Sequence, residues 1–79
     1  MTVYFFDIVE KDGTFQDSEG TEFADDDGAA GEALAVLFEA MRDLASTTQP
    51  GHNLAVTART ASGRMAFYAV LQLQTTNYP

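Results

Sequence analysis

Hydrophobic positions along this chain follow two spacings, one strand-like and one helical. From Val3 to Val9 nearly every residue is apolar, and most are β-branched or aromatic; Lys11-Asp12-Gly13 then reads as a turn. This predicts a strand over 2–9 and a hairpin. The return strand falls over 14–23, with Ser18-Glu19-Gly20 breaking it as a bulge. Asp25, Asp26 and Asp27 precede a run of good helix formers, and aspartate suits both the cap and the first turn, so a helix is expected over 26–46. Ala30, Leu34, Leu37, Phe38, Met41, Leu44 and Ala45 fall on one face of its wheel. Glu32, Ala35, Glu39, Arg42 and Ser46 fall on the other.

Pro50-Gly51 closes the helix loop. Beyond it, Leu54, Val56 and Ala58 alternate with Ala55, Thr57 and Arg59, as a half-buried strand over 53–60 requires. Ala61-Ser62-Gly63 turns the chain into a strand over 64–73. There Met65, Phe67, Ala69, Leu71 and Leu73 share one side, and Ala66, Tyr68, Val70 and Gln72 the other. Residues 74–79 read as a tail. The pattern predicts a single α+β domain over 1–79, a two-layer ββαββ fold with a four-stranded, mainly antiparallel sheet and one amphipathic helix on one face. The first and last strands are apolar on both sides, which argues for putting them in the middle of the sheet, with 64–73 beside the first strand and 53–60 outside it. The order with 53–60 beside the first strand stands as the alternative.

One helix covers one sheet face, so the second apolar face predicts a homodimer through that face or an edge, with Val3, Phe5, Tyr68 and Val70 as the candidate contact residues.

Charge divides the chain sharply. Residues 1–32 hold ten acids against Lys11, and the remainder holds Glu39 and Asp43 against three arginines, or −9 against +1. A net charge of −8 argues against direct nucleic-acid binding, which needs clustered cations. It suits a basic protein partner instead, met by Asp12, Asp17, Glu19, Glu22, Asp25, Asp26 and Asp27. With no cysteine there is neither a disulfide framework nor a thiolate metal site. No apolar run has the length a membrane helix needs and the start lacks signal-peptide features, so the expected location is the cytoplasm, away from membranes.

Candidate chemistry is sparse. A calcium loop starting at Asp12 would put Thr14 and Gln16 at ligand positions and Asp17 where glycine belongs, so the acids read as caps and solvated turns. Asp7, set in an apolar strand, is the acid best placed to act as a general base, and His52 is the sole histidine, read as a surface loop residue. No nucleophile elbow or phosphate loop occurs, and no cofactor is expected. The leading expectation is a noncatalytic interaction domain. An antitoxin-like or nucleic-acid-mimicking regulator is the alternative, and a small-ligand enzyme using Asp7 or His52 the third.

Tyr4-Phe5-Phe6-Asp7, Gly13, Asp17 with Gly20-Thr21-Glu22, and Glu32-Ala33-Leu34 together resemble a family of short bacterial proteins of unknown function, whose members typically open with Tyr-Phe-Phe or Tyr-Phe-His. The resemblance runs in order from the first strand to the turn at Gly63. This chain departs from it at Ala30-Gly31, where relatives often carry arginine, and after Phe23, where they often have proline. The resemblance implies a stand-alone ββαββ domain with no assigned activity, and no catalytic residue is carried over from it.

Overall fold

The computed structural model describes residues 1–45 and 52–79. In chain order its elements are β1 (Thr2–Glu10), β2 (Gly13–Phe15), β3 (Thr21–Phe23), α1 (Asp26–Ala45), β4 (His52–Thr60) and β5 (Met65–Leu73). The class is α+β, one helix against a sheet in which every described pairing is antiparallel. The helix end expected at Ser46 and the loop through Gly51 lie outside the described residues.

The stretch read as one bulged strand over 14–23 forms two short strands on the same edge of β1. Ile8 pairs with Phe15 at one end and Tyr4 with Thr21 at the other, while residues 16–20 leave the ladder between them.

The sheet runs β2-β1-β4-β5, with β3 also on β1. This corrects the preferred order, which put 64–73 beside the first strand, and it matches the alternative. Beside β1 lies the strand with small residues, β4, while β5, with large residues on both faces, is at the edge. Val56 and Ala58 of β4 are buried in the core with the helix, and Ala55, on the other face of the strand, is buried as well. Tyr68 and Val70 of β5 stay 59% and 56% exposed at the sheet's edge.

Helix α1 begins where Asp25 accepts a hydrogen bond from the Gly28 amide at 2.9 Å, the usual capping geometry. It packs chiefly against β4 and β5. Its buried stripe is Ala29, Ala33, Leu37 and Met41, with Ala40 and Leu44 packed alongside. The expected face is therefore rotated: Phe38 is 58% exposed and Leu34 38%. Small residues lie under the first turns because Tyr4 and Phe6 fill the space there, together with Phe23, whose ring stands edge-on to both at 6.1 and 5.9 Å.

A second correction concerns β5. The pairing steps from Ala58↔Phe67 to Arg59↔Met65, leaving Ala66 as a bulge. Alternation is thus broken: Ala66 packs on the core and Met65 is exposed, the reverse of the expected sides.

The 16–20 loop folds over the sheet face opposite the helix. Gly20 (φ 77°) lies so close to it that a Cβ there would meet Val3 Cγ1 at 2.6 Å and Phe5 Cε1 at 3.0 Å. Gly20→Ala combines an unfavourable backbone region with overpacking, and is expected to destabilise the fold by roughly 2–4 kcal/mol in urea unfolding.

Candidate functional site

Two polar clusters organise the surface. The first lies on the face away from the helix. Asp7, on the central part of β1, is buried, and its Oδ2 accepts from Arg59 Nε on β4 at 2.7 Å. Its Oδ1 accepts from the Asp17 backbone amide at 3.0 Å, with the Arg59 Nη2 at 3.5 Å. The guanidinium also donates to the Asp17 carbonyl at 3.3 Å and lies 4.8 Å from the centre of the Phe5 ring. These contacts fasten the loop to the sheet.

Asp17 completes the seal from the other side. Its Oδ2 accepts from the Phe6 amide at 3.1 Å, the β1 donor that falls in the gap between β2 and β3. Its Oδ1 accepts from the amides of Glu19 and Gly20, which turns the loop. Partial burial works to raise the Asp17 carboxyl, but the three amides outweigh it and hold it below the ordinary value.

The second cluster sits at the helix start. The Tyr4 hydroxyl, at the end of a buried ring, donates to Asp26 Oδ1 at 2.6 Å, and Arg64, from the β4–β5 turn, reaches both Asp26 oxygens at 3.0 Å. Two hydrogen bonds from Arg64 and one from Tyr4 hold the Asp26 carboxyl at about 2; in return the Tyr4 phenol is pushed up. The turn that presents Arg64 is closed by Thr60, whose amide donates to the Arg64 carbonyl, with Gly63 at φ 90°. Thr2, Tyr4, Ala24, Asp25, Asp26, Asp27 and Arg64 line an open recess of about 460 Å³.

The residues singled out by sequence divide as follows. Asp17, Asp25 and Asp26 are engaged within the chain as loop anchor, helix cap and ion-pair partner, with Asp25 itself exposed. Asp12, Glu19, Glu22 and Asp27 are exposed. Val3 and Phe5 are half-buried beneath the loop, whereas Tyr68 and Val70 are open. His52 begins β4 opposite Leu73 rather than lying in a loop; its side chain falls outside the description. Among the described residues no group of three metal-ligating side chains comes together, and no helix is long and apolar enough to cross a membrane. Sequence reading missed Arg59 and Arg64. The signal for Arg59 is scarcity: in a chain with only four Lys and Arg residues, an arginine paired with Phe5 lies diagonal to Asp7, which pairs with Thr57 on the same face, and has a clear partner once the register is known.

A protein family described as a domain of unknown function, DUF6894, matches residues 3–72. No curated protein and no solved structure matches.

Removing the Arg59 charge leaves a buried carboxylate without its cation. With the guanidinium partly hydrated, Arg59→Met is expected to cost about 2 kcal/mol, and adding Asp7→Asn to recover part of that loss, both read from urea unfolding. Acid acts on the other cluster. The folded Asp26 carboxyl lies below its ordinary 3.8, so its contribution is present above about pH 4 and lost as the pH falls toward 2. The urea midpoint of the wild type should fall over that window, and less steeply in Asp26→Asn.

Proposed function

The chain belongs to the DUF6894 family of domains of unknown function, and from that premise and its surfaces we propose that it is a noncatalytic, homodimeric interaction domain whose acidic edge receives a basic protein partner. The observation that carries this reading is the use made of the arginines. Arg59 and Arg64 are engaged internally by Asp7 and Asp26. The exposed carboxylates of Asp12, Glu19, Glu22 and Asp27 have no ion pair among the described residues. Most of them sit on the β2–β3 side of the sheet, so the negative charge of residues 1–32 is gathered toward one edge and the helix start.

Such a field steers a cationic partner toward that edge and suppresses acidic competitors, and it weakens as salt shortens the screening length from about 10 Å at 0.1 M to about 3 Å at 1 M. The noncatalytic part of the reading is supported by Asp7. Both of its oxygens accept hydrogen bonds, from Arg59 and from the Asp17 amide, which leaves it poorly placed to take a proton from a substrate.

Affinity capture from the source cell's lysate, with bound proteins identified by mass spectrometry, tests the proposal. The wild type should retain basic proteins at low salt and release them at high salt. The quadruple variant Asp12→Asn/Glu19→Gln/Glu22→Gln/Asp27→Asn should retain none of them. Capture unchanged by salt and by the variant would contradict the reading.

A further inference from the structure

The two edges of the sheet are finished differently. On the β1 side, β2, β3 and the Asp17 carboxylate serve the outward backbone donors. On the β5 side nothing among the described residues pairs with the outer edge. The Thr60 amide donates toward Arg64, so alternation directs the Ala58, Val56 and Leu54 backbone groups of β4 at β5 as well. Their partners Phe67, Ala69 and Leu71 are therefore satisfied, and Tyr68, Val70 and Gln72 present N–H and C=O outward.

An open edge of nine residues is a template for another strand, and soluble proteins usually blunt one with lysine, proline or an inward charge. Strand β5, MAFYAVLQL, carries no charge and no proline, and its bulge at Ala66 sits near its start, leaving residues 67–73 regular.

The helix extends the same surface. Strands β3 and β4 are parallel to each other, each antiparallel to β1, and α1 joins them; such crossovers are right-handed in about 98% of cases. Leu34 and Phe38 each follow a residue of the buried stripe, about 100° round the helix. In a right-handed crossover that flank overhangs β5, and the opposite flank, with Ala40 and Leu44, leans over β1. The burial agrees: Ala40 and Leu44 pack on the core, whereas Leu34 and Phe38 are exposed.

We propose that the outer edge of β5 pairs antiparallel with the same edge of a second copy, making one continuous sheet with Leu34 and Phe38 of the two helices packed across the twofold axis. This deepens, and rests on, the homodimer reading above. A second copy fits better than another protein because the contact is self-complementary: a twofold centred near Ala69 sets Tyr68 opposite Val70 in both directions, an aromatic against a β-branched residue. Charge also favours it. The strand brings no like charges to the axis, and the acidic β2–β3 edges end up at the two far ends of the joined sheet.

Light scattering coupled to size-exclusion chromatography over a range of micromolar concentrations tests this with the full chain. The wild type should have twice the mass of one chain. Val70→Lys and, separately, Phe38→Glu should each give the single-chain mass with unchanged circular dichroism, since both side chains are more than half exposed. Phe15→Ser, on the opposite edge, should leave the dimer intact. A wild-type dimer that survives both Val70→Lys and Phe38→Glu would overturn this interface and leave the homodimer reading standing. A wild type that stays single-chain at every concentration would overturn both.

Discussion

The Asp7–Arg59 ion pair is the contact on which the uncovered side of the sheet depends. Asp7 is buried on the sheet face away from the helix, and its burial there is tolerated because Arg59 and the Asp17 amide satisfy its oxygens. Through them it fixes the 16–20 loop. That loop puts the Asp17 carboxylate on the Phe6 amide and lays Gly20 against Val3 and Phe5. One charged pair thereby closes a gap in the strand ladder and covers part of an apolar face.

The helix start works by the same economy of charge. Asp26 joins Tyr4 in the core to Arg64 in the β4–β5 turn, so the first turn of α1 is tied both to β1 and to the hairpin. Two arginines thus hold the two ends of the fold together, and the rest of the negative charge faces solvent. The outcome is a lopsided domain, with an acidic edge finished by its own chain and a neutral, apolar edge along β5.

The kinds of element were legible because their signals are local. The run from Val3 to Val9, the aspartates before the helix, and the glycines at 13 and 63 each act through backbone preference or capping. What escaped was set by tertiary fit. Ala29 and Ala33 face the sheet because Tyr4 and Phe6 leave them little room, so weighting large residues turned the helix toward Leu34 and Phe38. The extra residue at Ala66 reversed the sides of Met65 and Ala66, and nothing in a run of apolar residues announces a bulge. Strand order is illegible for a related reason: two-sided apolarity predicts a central strand, whereas β5 carries it at an edge. Asp7 stands out in the sequence as an acid in an apolar strand, but its partner depends on the register, which sets Phe5 opposite Arg59 and Asp7 opposite Thr57.

The central claim is that one sheet edge is completed within the chain and the other by a second copy. Amide hydrogen exchange followed residue by residue at low and high protein concentration tests it most directly. The account predicts that the Phe6 amide is protected at every concentration, and that the outward amides of Tyr68, Val70 and Gln72 gain protection as concentration rises. Rapid exchange of those three amides at all concentrations, beside a protected Phe6, would contradict it.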